Sequence, residues 1–195
     1  MKSTLRLLFL LLILGVAAFF FIRSLNSRCG IECEPEVVAV MNHKPVVRPV
    51  VKPVLLFLSL DTATAKVGSD FVVSAMIDPG SEKITVAELR LAYDPTKLRF
   101  VSATTEGTPL SVMLSTTTVD AKKGTVSLSA GVPLTKPATP IVQKSIVASF
   151  IFKALATASS TSITIATSSA LYALGKDENV TATMMGLIIN LTPAK

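Results

Sequence analysis

Side chains able to do chemistry are sparse in this chain of 195 residues, and their spacing limits what they can do. The single histidine, His43, sits in "VMNHKPVVRPVVKP", where a solvated loop side chain is expected rather than a catalytic base. Cys29 and Cys33 form "CGIEC". Without neighbouring histidines, C-x-x-x-C is a poor zinc pattern, so a local or intermolecular disulfide, or two free thiols, is the expectation. From Val54 onward there is no His and no Cys, which removes His-dependent serine and cysteine mechanisms from that region. Ten carboxylates remain there. Two of them could in principle hydrolyse a glycoside, but no pair stands in a recognisable constellation. "KDEN" at Lys176–Asn179 reads as an acidic turn, and no D-x-[DN]-x-[DN]-G loop exists, so no metal and no cofactor are expected. "NVT" at Asn179 and "NLT" at Asn190 match the glycosylation acceptor pattern, which matters only in a host that modifies it. What remains is the chemistry of contact, and it centres on "ELRLAYDPTKLRF", Glu88 to Phe100.

The elements that position this stretch follow from a period of two. In "TVAELRLAY", Ala87, Leu89, Leu91 and Tyr93 share one face, and Val86, Glu88, Arg90 and Ala92 take the other. The same alternation places Phe71, Val73, Ala75 and Ile77 together, then Val126, Leu128 and Ala130. It also groups Ile146, Ala148, Phe150 and Phe152, with Ile163, Ile165 and "GLIINL" closing the series. Turn residues separate these runs in "KVGSD", "DPGSEK", "AKKG" and "PLTKPATP". Within "YDPTKL", Tyr93 ends a strand facing inward, Asp94 accepts backbone hydrogen bonds and Pro95 presets φ, which is a structural turn. Eight to ten short strands in about 140 residues predict an all-β, two-sheet sandwich over residues 54–195, large enough to bury a core without staples.

Upstream the chain changes character. Leu7 to Ile22, "LLFLLLILGVAAFFFI", is an uncharged apolar run flanked by Lys2, Arg6, Arg23 and Arg28. Its 16 residues would span roughly 24 Å as a helix, short of a bilayer core unless the arginines snorkel. No cleavage site follows "AFFFIRS", so residues 1–28 are read as an N-terminal transmembrane anchor, with a cleaved signal segment as the alternative. Either way the remainder is expected outside the cell, membrane-held or secreted. Residues 29–53 form a Cys-containing, Pro-rich linker whose "KPVVRPVVKP" favours extended, stiff backbone. Most of the formal net charge of +6 lies in residues 1–53, with seven Lys/Arg against three Glu, whereas residues 54–195 hold twelve Lys/Arg against ten Asp/Glu, dispersed along the chain. That lacks the basic stripe a nucleic-acid partner requires.

The ordered series "TATAKVGSDFVVSAMID", "ITVAELRLAYDPTKLRFVSAT", "GTVSLSAG", "IVASFIFKAL" and "TSITIATSSALYA" resembles a cohesin domain from about Leu55 to Leu191. "YDPTKL" is its strongest single motif. The resemblance implies a nine-strand β-sandwich with jelly-roll topology, related in fold to sugar-binding modules. It implies a dockerin partner, a small helical module that would bring any calcium with it. In the family the partner docks on the face that includes the strand before "YDP" and the strand matching "GTVSLSAG". By position this assigns partner contact to Val86, Glu88 and Arg90, with Ser127 and Ser129 beside them. Val86 is apolar where the family more usually has a hydrogen-bonding residue.

Three functions are therefore set against one another. The first is a membrane-tethered binding module that docks a dockerin-like or other surface protein, without enzymatic activity. The second is a polysaccharide-binding module. Its stacking platform would need exposed aromatic rings, and the chain has no Trp and two Tyr, of which Tyr93 is expected to face inward. The third is a passive structural protein of the cell surface.

Overall fold

Alternating branched and hydroxyl-bearing side chains, cut by glycine turns, build only strands. The computed structural model describes residues 51–60, 64–134 and 138–194. All of the described residues fall within one compact unit, Pro49–Lys195. The anchor expected at residues 7–22, Cys29, Cys33, His43 and most of the linker lie outside the described residues. Among the described residues no helix is long and apolar enough to cross a membrane.

The strands are β1 (Val54–Leu60), β2 (Thr64–Lys66), β3 (Asp70–Asp78), β4 (Ile84–Tyr93), β5 (Leu98–Thr104), β6 (Val112–Met113) and β7 (Thr118–Asp120). They continue with β8 (Thr125–Gly131), β9 (Ser145–Ala154), β10 (Ala158–Ile165), β11 (Ala170–Ala173), β12 (Thr181–Met185) and β13 (Leu187–Thr192). Four of these thirteen, β2, β6, β7 and β11, have four residues or fewer and border longer strands, leaving nine that carry the sandwich. Sheet one runs β12-β1-β3-β9-β5. Sheet two runs β2-β13-β10-β4-β8-β6, with β11 also on β4 and β7 also on β8.

The inward faces meet as the alternation requires. Val73, Ala75, Ile77, Phe150 and Phe152 of sheet one lie fully buried against Leu89, Leu91, Val126, Leu128 and Ile163 of sheet two. Phe152 is the hub. Its ring meets Tyr93 edge-on at 5.2 Å and Phe100 at 5.8 Å, and stacks on Phe71 at 6.1 Å. The Tyr93 contact fastens sheet two to sheet one, and such pairs add about 0.5–1.5 kcal/mol beyond area burial. The buried hydrophobic cluster runs from Val54 to Leu191, so this stretch contains a complete core.

One inward assignment fails. Ile146 is 41% exposed, and Val147 is buried in its place. The register explains it: Ala75 pairs Ala148 but Met76 pairs Ile146, so Val147 is the extra residue of a β-bulge. A bulge shifts the alternation by one step, and everything before it changes sides. Phe57 also faces outward, beneath the Lys144 ammonium at 4.7 Å from its ring centre.

The sheet edges are blunted. β5 carries Arg99 and a bulge at Val101, β12 is bulged where it meets Val54 and Leu55, and β2, β6 and β7 have three residues or fewer. Short, kinked edges discourage further strand pairing.

Candidate partner-binding face

β4 is central to sheet two and is the longest strand there, so it organises the outer face. β8 lies along one edge, with Val86 opposite Gly131, Glu88 opposite Ser129 and Arg90 opposite Ser127. The other edge is shared. β10 covers Leu91 to Tyr93, and β11 covers Ile84 to Glu88. Between the two, one side chain completes the ladder. Ser169, fully buried, accepts from the Arg90 amide at 2.9 Å through Oγ and donates to the Arg90 carbonyl at 3.2 Å. A hydroxyl offers a donor and an acceptor together, so it can replace a strand residue where β10 leaves and β11 enters.

Asn179 holds that junction from behind. Its Oδ1 accepts the amides of Leu171 and Thr181, both at 3.0 Å, and its Nδ2 donates to the Ser169 carbonyl at 3.4 Å. The backbone under Arg90 is thus pinned by side chains at the point where a regular strand is missing.

The outer face reads as successive rows. Tyr172, Val86 and Leu114 form an apolar row. Leu114 owes its place to Gly131, where a Cβ would lie 3.1 Å from Leu114 Cδ1, so the glycine lets the leucine lie across the strand. One step along stand Ala170, Glu88 and Ser129, and then Arg90 and Ser127 with Thr118 of β7. Val86, Glu88, Ser127 and Ser129 are half-buried and Arg90 is exposed. The structure thus brings the five sequence-assigned contact residues onto one surface. Among the described residues neither Glu88 nor Arg90 makes an ion pair, although the ammonium groups of Lys97, Lys123, Lys153 and Lys176 all do.

Beside Arg90 the face dips into a hollow of about 290 Å³ lined by Ala92, Thr118, Asp120, Thr125, Ser127 and Ser168. Asp120 on its far wall is already occupied. Its Oδ1 accepts the amides of Lys122 and Lys123, and its Oδ2 lies 3.7 Å from the Lys123 ammonium. The Lys123 amide first, then that ammonium, hold the Asp120 carboxyl below the ordinary carboxylate range.

The "YDP" turn closes the end of β4. Tyr93 is 7% exposed, with its amide donating to the Gly124 carbonyl at 2.8 Å. Asp94 Oδ1 accepts the Thr96 hydroxyl at 2.6 Å and the Thr96 amide at 2.9 Å, while its carbonyl accepts the amides of Lys97 and Leu98. Pro95 follows half-buried. Gly124 has φ of +65°, and a Cβ there would run into the Tyr93 carbonyl, so this position requires glycine.

Sequence reasoning missed Leu114, Tyr172, Ala170 and the hollow. A signal for two of them existed: glycine at the outward position 131, and the pattern of "ALYA", whose Leu171 and Ala173 are buried while Tyr172 is not. No group of three or more metal-ligating side chains occurs among the described residues.

The cohesin-domain pattern matches residues 56–187. No curated protein sequence matches the chain closely enough to count as a relative. Among solved structures, the fold is similar to a cohesin module from a family 33 glycoside hydrolase of Clostridium perfringens, with 13% identity, 74% of this chain and 98% of that one covered, and TM-score 0.59. A type II cohesin domain from the cellulosome of Acetivibrio cellulolyticus shares 21% identity over 71% of this chain and 95% of its own, with TM-score 0.58. The sixth cohesin of that organism's scaffoldin B, solved in complex with a dockerin, shares 21% identity over 72% and 99%, with TM-score 0.57. With the family pattern spanning both sheets and both strands of the face, the chain belongs to the cohesin-domain family.

Proposed function

We propose that this protein is a tethered extracellular binding module that docks a dockerin-type partner on the outer face of sheet two. One observation carries the reading: two opposite charges, Glu88 and Arg90, stand unpaired on a floor of small side chains beside the apolar row of Tyr172, Val86 and Leu114. An unpaired charge on a rigid strand loses little entropy on docking, and an adjoining apolar strip supplies desolvation. Membership in the cohesin family supports the dockerin assignment. The apolar run at residues 7–22 supports membrane attachment, with the proline-rich linker as spacer. Any calcium in the complex belongs to the dockerin, and the module itself takes no catalytic part.

The test is calorimetric titration of residues 51–195 with a panel of dockerins, calcium-loaded and calcium-stripped. Binding is expected only with calcium, weakened by Glu88→Lys and by Arg90→Glu. Affinity unchanged in both variants would place the contact elsewhere.

A further inference from the structure

The two ends of this face differ in charge chemistry. Arg90 borders the hollow, and the β7–β8 turn beyond its Asp120 wall carries Lys122 and Lys123. The acid of the hollow, Asp120, has its oxygens committed to the Lys122 and Lys123 amides and the Lys123 ammonium. Glu88 is two residues from Arg90 on the same face, roughly 7 Å along the strand, and does not pair with it. The Arg90 guanidinium therefore offers five N–H donors at the rim of the recess and makes no ion pair among the described residues. Thr118, Thr125, Ser127 and Ser168 around it are neutral hydroxyls. The recess has room for about ten waters, enough for one acidic side chain with part of its hydration shell.

Resting on the docking reading above, we infer that this hollow receives a carboxylate from the docked partner. Arg90 is the residue that selects it, so the face discriminates in favour of partners with an Asp or Glu at that point and against those with Lys or Arg. The physical basis is a forked, charge-assisted pair on one side and like-charge repulsion from Arg90 on the other. Leu114 and Val86, about 13 Å away along β4, supply adhesion that does not depend on the partner's charge.

A display library of calcium-loaded dockerin modules, with surface positions randomised between Glu, Gln and Lys, tests this on residues 51–195. Binders selected by the wild type should be enriched in Glu at one position. Arg90→Glu should weaken those binders by roughly tenfold or more and enrich Lys at the same position, with Arg90→Gln between the two. Leu114→Ala should weaken every binder whatever its charge. Binders that depend on Leu114 yet show no preference at any randomised position would overturn the Arg90 assignment and leave the docking face intact. Binders indifferent to Leu114→Ala, Val86→Asp and Arg90→Glu alike would overturn the docking face, and the carboxylate site with it.

Discussion

On the outer face of sheet one, Met185, Phe57, Met76 and Ile146 stand side by side across β12, β1, β3 and β9. On the outer face of sheet two, the apolar row of Tyr172, Val86 and Leu114 gives way within two steps to Glu88 and Arg90. The first face has the longer apolar row; Lys144 covers the Phe57 ring and Lys153 lies 3.9 Å from Asp70, while Arg99 beside Lys153 makes no ion pair among the described residues. Ser59, Ser74, Ser149 and Thr104 then cross the sheet as a band of hydroxyls. The second face keeps two charges uncommitted. Apolar exposure gives adhesion without choice, whereas uncommitted charges penalise the wrong partner. On the proposed docking, the more hydrophobic face of this sandwich is therefore not the selective one.

The two faces share one core, and the largest predicted effect tests whether they can be separated at all. Phe152→Ala removes the ring that Tyr93, Phe71 and Phe100 all touch. A loss of about 3–5 kcal/mol is expected in urea unfolding, with fluorescence probes placed on either sheet melting together. Sheets that melted apart would mean the sandwich is two weakly coupled layers.

Next in size is a change at the β10–β11 junction under sheet two, which also holds the first residue of β12 at the edge of sheet one. Asn179→Ala removes two accepted bonds and one donated bond at the β10–β11 junction. It should cost about 1–3 kcal/mol, because the Leu171 and Thr181 amides lose their acceptor. Amide exchange should quicken in β11 and in β4 around Arg90 before it does in β3 or β9. Equal quickening in both sheets would refute the idea that this clasp serves sheet two.

The surface comparison itself predicts a small stability change and a large difference in binding. Met76→Ser with Ile146→Ser, and separately Arg90→Glu, should each shift stability by only about 0.5 kcal/mol. Dockerin affinity should fall with Arg90→Glu and stay level with the sheet-one pair. The reverse pattern would transfer docking to sheet one.

These faces were unequally legible in the sequence. Strands β3, β4, β8 and the inner part of β9 could be read because alternation is a local property that burial enforces at each residue. The nine-strand sandwich followed from that alternation together with the order of the family motifs. Ile146 was misread because a bulge leaves no periodic trace: nothing in "KSIVASF" marks Val147 as the extra residue. β11 and β12 escaped because both are short and are fastened by one loop side chain, Asn179, which accepts the Leu171 and Thr181 amides, rather than by a pattern of their own. Gly186, where a Cβ would lie 2.7 Å from the Ile163 carbonyl, separates β12 in sheet one from β13 in sheet two, a change of sheet that reads in sequence as one apolar run. The five contact positions were placed by strand parity, but Leu114 reaches the face through a loop and a glycine, which parity cannot foresee.

The smallest expected effect concerns acid, and it again separates the two sheets. Asp94 and Asp120 both sit at ends of sheet-two strands, and both have carboxyl pKa values below the ordinary range. For Asp94 the Thr96 hydroxyl is the main cause, followed by the Thr96 amide and Lys97. A carboxyl with a lowered folded pKa favours the native state above its unfolded value, about 3.9, and that contribution disappears as pH falls through the folded value. Both side chains are exposed to solvent, so the effect on global stability is small and should surface locally. Between about pH 4 and pH 2, amide protection, taken relative to the intrinsic exchange rate at each pH, should fall first at Thr96–Leu98 and Lys122–Gly124, which flank the hollow and the end of β4, while the centre of β3 stays protected. Asp94→Asn should remove the pH dependence at the first site and leave the second unchanged. If protection at both sites instead fell in step with β3, acid would be acting through the shared core, and the polar end of sheet two would hold no independent carboxylate anchors.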